Sequence, residues 1–355
     1  MGHPGYQLKT HSLIVTQEIL LLIADIDEFK GTWKSLQTLA PERLASLRHV
    51  ATIESIGSST RIEGARLTDR DVEALLSRLE THSFRSRDEE EVAGYADAMR
   101  LVFESWDAIP LTENHARQLH GVLLGHSGRD VRHRGEYKTL PNHVEAFDDQ
   151  GRSLGIVFAT ASPFDTPARM THLIAWTRDA IVERQIHPLL IIGIFTVVFL
   201  AIHPFRDGNG RLSRVLTTLL LLKSGYTHVP FSSLESVIEQ SKDGYYLALR
   251  RTQGTLDDAE PDWTPWLRFF LTALQRQKNG LAEKIAREHS MAAALTRLAT
   301  QILALVQSHG RVTAAEAERI TNAPRGTIKK RLKELVVSGR LIQEGKAKAT
   351  WYRFP

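Results

Sequence analysis

A chain of 355 residues is long for one domain, so two or three folding units are expected. Its hydrophobic fraction of 42% is ordinary for a globular protein, and a formal charge of +4 with a pI of about 9.2 is too mildly basic to predict nucleic-acid binding alone. The absence of cysteine excludes disulfides, zinc–thiolate sites and a cysteine nucleophile.

The apolar segments argue against a secreted or membrane protein. The first residues lack the basic region followed by an apolar core that marks a secretory signal. The most apolar run, residues 189–202, is too short to cross a bilayer and predicts a buried helix. We therefore expect a cytoplasmic protein that has no membrane partner.

The first part of the chain predicts a series of helices, at 12–36, 42–62, 68–79, 92–103 and 112–124. Pro41 suits the first turn of the second helix, and Gly64 is a natural stop just after it. The strongly charged string 85–91 predicts a solvated turn between the third and fourth helices.

A β-hairpin is predicted in the middle of the chain. Residues 143–147 and 153–159 are short β-like segments on either side of the turn sequence Asp148-Asp-Gln-Gly151. An amphipathic helix at 167–183 follows and leads to the apolar run.

The sequence HPFRDGNGRLSR, residues 203–214, joins that apolar run to a second one that ends at Leu222. It predicts a polar loop between two core helices. Within it, His203 can take a proton near neutral pH, and Asp207 is an oxygen ligand suited to magnesium.

The second half of the same stretch suits phosphate. Gly208, Asn209 and Gly210 can turn backbone N–H groups towards an anion at the N-terminus of the second helix. Arg211 and Arg214 are three residues apart, so they share a helix face and can reach one polyphosphate. The stretch therefore predicts a site for phosphoryl or nucleotidyl transfer.

Further helices are predicted at 232–251, which carries Tyr245 and Tyr246, and at 263–274. Residues 278–290 are polar and charged and predict a linker helix, within a linker at 278–294. Residues 295–355 then form a separate pattern. It predicts three helices at 296–308, 313–320 and 324–338, followed by two strands at 339–345 and 349–354.

That C-terminal pattern resembles a winged helix-turn-helix domain. Basic side chains are frequent on its third helix and between its strands: Arg325, Lys329, Lys330, Arg331, Lys333, Lys346 and Lys348. Residues 324–348 therefore suit contacts with DNA phosphates, and packing against another protein is an equal alternative.

Residues 203–214 also resemble the signature of the Fic family, H-x-F-x-[DE]-G-N-G-R-x-x-R, at every specified position. The resemblance implies a mostly α fold. It implies a Fic-fold helical bundle with a small β-hairpin flap at residues 91–277, preceded by an N-terminal helical region at 1–90.

In most of that family the enzyme transfers AMP from ATP to a protein Ser, Thr or Tyr hydroxyl and releases pyrophosphate. The resemblance implies that His203 is the general base and that Asp207 holds Mg²⁺. It implies that residues 208–210 cradle the phosphates. Arg211 would offset charge on the leaving β-phosphate, and Arg214 would hold the γ-phosphate.

Several further roles follow from the same resemblance. The hairpin, 143–159, would be the flap that holds the target protein by strand addition. Gly210 favours AMP transfer over phosphorylation, because the kinase-like branch carries lysine there. Tyr245 and Tyr246 would line the adenine pocket, with core packing as an equal alternative, and Phe205 would be a packing anchor.

The segment Ser59-x-x-x-Glu63-Gly64 resembles the inhibitory motif of Fic proteins, [ST]-x-x-x-E-[GN], within a helix at about 42–64. Glu63 would pair with Arg214, the arginine that otherwise holds the γ-phosphate. The sequence therefore predicts an autoinhibited protein adenylyltransferase, and it allows autoadenylylation and a homo-oligomer.

Two alternatives remain open at this stage. The same site could remove AMP as a deadenylylating phosphodiesterase, with Glu63 as the base. The chain could instead be a DNA-binding regulator whose Fic domain senses nucleotide, although an intact His203 argues against sensing as its sole function.

Overall fold

The structure is a computed structural model that describes residues 8–36, 41–78, 84–142, 144–147, 153–158, 160–345 and 350–355. The chain folds into two compact units, which divide between Leu281 and Ala282. It is mostly α-helical, as predicted.

The first unit is built from helices and one hairpin. Its helices are α1 (Gln17–Leu36), α2 (Pro41–Ile62), α3 (Asp69–Leu76), α4 (Arg87–Ser105), α5 (Glu113–Leu123), α6 (Thr166–Glu183), α7 (Pro188–Ile202), α8 (Asn209–Lys223), α9 (Leu234–Gln240), α10 (Lys242–Gln253) and the beginning of α11 (Thr264–His309). The side chain of Thr112 caps α5 by accepting the His115 backbone N–H.

Helix α7 is the centre of this unit. Every residue from Leu189 to Ile202 is buried, because α7 packs against α6, α8 and α10. Burial of an aliphatic or aromatic side chain contributes about 1.5–3 kcal/mol, so this helix is the most strongly fixed part of the unit. Pro188 occupies its first turn, where a missing N–H costs nothing.

The connection from α7 to α8 is tight and is bounded by two residues with positive φ. His203 ends α7 in the left-handed conformation, with φ of 51°. Gly208, with φ of 75°, precedes α8. The residues between them, together with these two, form the motif loop (residues 203–208). A left-handed histidine costs about 1–2 kcal/mol, so the surrounding contacts must hold it.

The predicted hairpin is present. Strands β1 (Val144–Phe147) and β2 (Ser153–Phe158) pair antiparallel, with Glu145 opposite Ile156 and Phe147 opposite Ser153. The predicted turn Asp148–Gly151 and the end residues His143 and Ala159 lie outside the described residues.

The second unit contains the remainder of α11 with α12 (Ala314–Thr321), α13 (Arg325–Val337) and strands β3 (Val312–Thr313), β4 (Ile342–Glu344) and β5 (Trp351–Arg353). The strands form an antiparallel sheet in the order β3–β5–β4. Ile302, Ile328 and Leu332 are fully buried at the centre of a separate core. The segment 346–349, with Lys346 and Lys348, lies outside the described residues.

Three predicted boundaries were wrong. The string 85–91 is not a solvated turn, because α4 begins at Arg87 and Glu89 is buried. The predicted helix 232–251 is two helices, α9 and α10, that meet at Ser241. The linker segment is helical, as predicted, but it is part of one continuous helix, α11, in place of the separate helices predicted at 263–274 and 296–308.

No helix in the described ranges is both long and apolar enough to span a lipid bilayer.

Candidate active site

The candidate site forms around the motif loop, and His203 lies at its start. Its backbone N–H donates to the carbonyl of Phe199, and its Nδ1 lies 3.3 Å from the carbonyl of Leu200. That contact places the ring proton on Nδ1 and leaves Nε2 as the proton acceptor. Burial lowers the pKa of His203 to about 4, so the ring is neutral at pH 7.

The side chain of Asn209 fixes the motif loop from the start of α8. Its Oδ1 accepts the backbone N–H of Phe205 at 2.9 Å, and its Nδ2 donates to the carbonyl of the same residue at 2.7 Å. Asn209 is 1% exposed. The Asn209 amide group therefore binds the loop rather than a ligand, which leaves its backbone N–H for a phosphate.

His120 of α5 supports the loop from the opposite side, a role that the sequence did not reveal. Its Nδ1 accepts the backbone N–H of Gly135 at 2.8 Å, so its Nε2 carries the proton and donates to the Asp207 carbonyl at 2.9 Å. Its ring stacks on Phe205 with centroids 3.9 Å apart. Phe205 is fully buried, as expected of a packing anchor.

The segment just before the hairpin also holds the motif loop. The buried ammonium of Lys138 donates to Asn142 Oδ1, to Thr160 Oγ1 and to the carbonyl of Ile202, at 2.7–3.0 Å. The Nδ2 of Asn142 then donates to the carbonyl of Phe205 at 2.6 Å. These contacts join the base of the hairpin to the loop that carries His203.

The first turn of α8 presents backbone donors. The N–H of Gly208 is taken by Asp207 Oδ1 at 2.6 Å. The amides of residues 209–211 that follow are first-turn groups with no partner inside the helix. With the helix dipole they form a site for an anion.

Asp207 is held by two arginines. Its Oδ2 lies 2.5 Å from Arg87 of α4, and its Oδ1 lies 3.5 Å from Arg211. Burial would raise the pKa of Asp207, but Arg211, the Gly208 N–H and Arg87 together hold that pKa below its usual value. The carboxylate is therefore ionised at neutral pH.

Asp207 could contribute one ligand to a magnesium ion. Magnesium is commonly held by one or two carboxylates together with phosphate oxygens. In the part of the chain that the structure describes, no group of three His, Asp or Glu side chains could hold a metal. The donor set fits an ion that arrives with a nucleotide.

Arg211 is 2% exposed and is oriented by carboxylates on both sides. Besides Asp207, it faces Glu91 of α4, whose Oε2 lies 3.1 Å from its Nη1. The charged string that was expected to be a solvated turn thus supplies two side chains, Arg87 and Glu91, that hold the motif's own charged residues.

Arg214 is held by the last turn of α2. Its Nε donates to Ser59 Oγ, and its Nη2 donates to the Ser59 carbonyl and to Glu63 Oε1, each at 2.8 Å. Arg214 is 4% exposed and Ser59 is fully buried. The structure therefore brings together the two segments that the sequence linked, residues 59–63 and Arg214.

Glu63 also lies directly over Gly210. A Cβ placed on Gly210 would lie 2.1 Å from Glu63 Oε1, which is far inside van der Waals contact. Glycine at position 210 leaves room for the carboxylate where it lies, and any larger residue would force the end of the Glu63 side chain to move. Gly64, just after it, has a φ of 106°, which favours glycine at the exit of the helix.

The last turn of α2 is anchored to its neighbours by Arg61. Its Nε and Nη2 donate to the two carboxylate oxygens of Glu239 on α9, at 2.6 and 3.0 Å. Its Nη1 also donates to Asp69 at the start of α3, at 2.9 Å. We call the Arg61–Glu239 pair the latch. It does not include Arg214 and was not apparent in the sequence.

The two tyrosines differ in environment. Tyr245 is 3% exposed and packs against Trp266 with ring centroids 5.7 Å apart, which favours the core-packing alternative. Tyr246 is 38% exposed, and its hydroxyl lies 3.4 Å from the carbonyl of Ile62 at the end of α2. Both tyrosines interact electrostatically with Glu63 and Arg214, and Tyr246 is the more exposed of the two.

Comparison with known proteins agrees with this geometry. Residues 110–221 match the family model of the Fic/DOC family. The protein adenylyltransferase Fic of Drosophila grimshawi is 26% identical over 270 residues, which is 76% of this chain and 50% of that protein. The chain therefore spans about half the length of this curated relative.

Two solved structures share the fold. A Fic domain containing signalling protein from Bacteroides thetaiotaomicron is 27% identical, with a TM-score of 0.60, over 74% of this chain and 97% of that one. A Fic family protein from Desulfovibrio desulfuricans is 24% identical, with a TM-score of 0.64, over 99% and 98% of the two chains. The chain therefore has the helical Fic fold and contains a Fic/DOC family domain.

Proposed function

We propose that the chain is a protein adenylyltransferase that transfers AMP from ATP to a Ser, Thr or Tyr hydroxyl of a protein, and that Glu63 restrains it. The observation that carries the proposal is the motif loop. Within one turn it holds a neutral histidine, an ionised carboxylate and the N-terminus of a helix. These are the parts that nucleotidyl transfer requires.

His203 is the base in this proposal. The target hydroxyl oxygen attacks the α-phosphorus of ATP, and its proton passes to Nε2, the nitrogen that the Leu200 contact leaves free. The bond from the α-phosphorus to the bridging oxygen breaks, and pyrophosphate leaves. General base catalysis of this kind contributes about 10²–10⁴ in rate.

The phosphates lie at the start of α8. The backbone amides of residues 209–211 point to them, and Arg211 offsets the charge that develops on the leaving group. Asp207 would hold Mg²⁺, which would neutralise phosphate charge when bound. Glu91 and Arg87 orient Arg211 and Asp207 before the nucleotide arrives.

The restraint comes from competition for Arg214. As long as Nε and Nη2 are engaged by Ser59 and Glu63, these two of the three guanidinium nitrogens are not available to a γ-phosphate. The Glu63 carboxylate also lies over Gly210, where it repels phosphate oxygens. ATP would then be held with its α-phosphate out of line with the attacking hydroxyl.

The target would lie along the hairpin. Strands β1 and β2 are tied to the motif loop through Lys138 and Asn142, so an added strand would be carried close to His203. A second copy of the chain can serve as target, which would give autoadenylylation.

The test is labelling by α-labelled ATP with Mg²⁺. We expect label on Glu63→Gly protein, little on wild type, and none on the double variant Glu63→Gly with His203→Ala. Equal labelling of wild type and Glu63→Gly would contradict the restraint. Labelling that survives His203→Ala would contradict the assignment of the base.

Removal of AMP is a second function supported by one contact. Glu63 Oε1 pairs with Arg214, whereas its Oε2 makes no hydrogen bond within the described residues, and the side chain is 32% exposed. The free oxygen could orient a water. To test this, Glu63→Gly protein that carries labelled AMP is mixed with unlabelled wild type or with unlabelled Glu63→Gly protein. Release of labelled AMP by wild type alone would support removal of AMP with Glu63 as the base.

We further propose that the C-terminal unit is a winged helix that binds duplex DNA through α13. Four basic side chains of α13 are exposed and make no hydrogen bond or ion pair in the described part of the chain. They are Arg325, Lys329, Lys330 and Lys333. The acid on the same helix, Glu334, is already paired with Arg331 at 2.6 Å.

Binding to a DNA duplex at several salt concentrations tests this. Each cation that binds a DNA phosphate adds about 0.9 to the slope of log K against log salt, so Lys329→Ala with Lys330→Ala should lower that slope by nearly 2. An unchanged slope, or an equal decrease in Arg178→Ala with Arg251→Ala on the first unit, would contradict DNA binding by α13.

A further inference from the structure

A cavity of about 340 Å³ opens beside the motif loop, and most of the side chains that line it have no role in the proposed mechanism. Four arginines line it: Arg87, Arg129, Arg132 and Arg206. We call it the arginine pocket. Its size is at the lower end of the ~300–1,000 Å³ typical of small-molecule sites.

The carboxylates that line the pocket are already engaged. Asp207 is paired with Arg87 and Arg211. Asp130 accepts the hydroxyl of Ser127 at 2.6 Å and lies 2.8 Å from His133 Nε2. Neither is left to neutralise the other arginines of the pocket.

Arg129, Arg132 and Arg206 carry the unbalanced charge. All three are exposed and line the same cavity, and none makes a hydrogen bond or ion pair to another residue within the described ranges. Cations gathered around one cavity repel each other, so an anion that enters it is strongly favoured. Guanidinium groups suit phosphate, because they donate two parallel hydrogen bonds.

The position of the pocket identifies the anion. Arg206 and Asp207 are neighbours in the motif loop, so the pocket borders the place where the ATP phosphates are proposed to lie. An acidic peptide would suit the charge, but it would more naturally follow the hairpin than enter a cavity lined by the motif loop. A small inorganic polyphosphate fits both the volume and the place.

We propose that the arginine pocket binds pyrophosphate, the leaving group of AMP transfer, on its way out of the site. The identification of the anion as pyrophosphate rests on the proposed function. Arg87 belongs to both sites, since it lines the pocket and holds Asp207. It would therefore be the group through which pyrophosphate in the pocket affects the carboxylate of the motif loop.

Calorimetric titration of the full chain with pyrophosphate tests the proposal. We expect Arg129→Ala with Arg132→Ala to weaken binding at least about tenfold, since hydrogen bonds to charged groups are the strong ones. Arg178→Ala with Arg251→Ala removes the same charge from exposed positions elsewhere and should change binding less than about twofold. Arg214→Ala reports on the nucleotide site.

Equal weakening in the two double variants would overturn the proposal, because overall charge would then explain binding. Weakening by Arg214→Ala alone would also overturn it, because pyrophosphate would then lie in the nucleotide site. If a hexaglutamate peptide binds more tightly than pyrophosphate, the identification of the ligand as pyrophosphate is wrong, and an acidic protein segment is the ligand instead. The titration measures binding without turnover. Its result can therefore be interpreted even if the protein does not transfer AMP.

Discussion

Arg214 of α8 joins the last turn of α2 to the helix that follows the motif loop, but different forces hold the loop and that turn. The loop is fixed by uncharged hydrogen bonds to its backbone, from Asn209, Asn142 and His120, around the buried ring of Phe205. The last turn of α2 is held partly by burial of Ser59 and Ile62 and partly by ionic side-chain contacts, through Glu63 and the latch.

This difference predicts that the motif loop is rigid, whereas the contact between the end of α2 and Arg214 can be broken. Buried backbone hydrogen bonds cannot exchange for water without loss, so the loop keeps its geometry whatever the nucleotide state. An ion pair at a partly exposed side chain competes with water, salt and phosphate. In the proposed function, the geometry around His203 is therefore already formed before the nucleotide binds, and the restraint acts through the end of α2.

The largest effect on labelling is expected when the hydrogen bonds that hold the motif loop are removed. Asn209→Ala removes two buried hydrogen bonds to Phe205, and a displacement of about 1 Å at a catalytic group can cost 10²-fold. In the Glu63→Gly background we expect labelling from α-labelled ATP to fall about 10²-fold. A decrease of less than about threefold would mean that the loop does not depend on this side chain.

Loss of the latch should act in the opposite direction. Glu239→Gln removes the charged partner of Arg61, so the end of α2 should release Arg214 more often. We expect wild-type labelling to rise about tenfold, less than in Glu63→Gly. The matched control is Asp69→Asn, since Asp69 also pairs with Arg61 but is 49% exposed; it should have a smaller effect.

The charge-reversal pair sharpens this test. In the Asp69→Asn background, which removes the carboxylate that a glutamate at position 61 would face, Arg61→Glu with Glu239→Arg restores an ion pair of opposite direction and should return labelling towards the wild-type level. If Glu239→Gln leaves labelling unchanged, the latch is only a surface contact.

Lys138→Met should have a moderate effect on both stability and rate. The ammonium donates three hydrogen bonds beneath the motif loop, and its removal leaves Thr160 and the Ile202 carbonyl without that donor. We expect the free energy of unfolding to fall by about 1–3 kcal/mol. Thermal unfolding measures this. The control is Lys242→Met, which should change it by less than about 0.5 kcal/mol, since Lys242 donates no hydrogen bond in the described part of the chain.

The smallest effect on labelling is expected when the pH is changed between 6 and 8. A base must be unprotonated, and with a pKa of about 4 His203 stays so from pH 8 down to pH 6. An ordinary histidine, with a pKa near 6.5, would be about three-quarters protonated at pH 6. Labelling by Glu63→Gly protein should therefore change less than twofold across this range. A fall that follows a pKa near 6.5 would show that the ring is not desolvated.

The sequence predicted the parts of the site that are local. The motif, its two apolar helices and the hairpin depend on residue order over a few turns, and all are present. It also placed Glu63 opposite Arg214, through resemblance to a known motif rather than through spacing.

The supporting contacts could not be predicted, because each joins residues far apart in the chain. Glu91 meets Arg211, Lys138 meets Ile202, and His120 meets Asp207 only after folding. The prediction for the charged string 85–91 was wrong for the same reason. A run of charges predicts a solvated segment unless its partners are known, and here the partners lie in and just after the motif loop.

The contact of Glu63 with Gly210 limits which amino-acid substitutions can occur at these two positions during evolution. A side chain at position 210 would occupy the space of the carboxylate, whose oxygen lies 2.1 Å from where a Cβ would be. A side chain at position 210 would therefore require the Glu63 carboxylate to move or to be lost, which would alter its pairing with Arg214. Substitution at one position is therefore conditional on the other, although they lie in different segments of the chain.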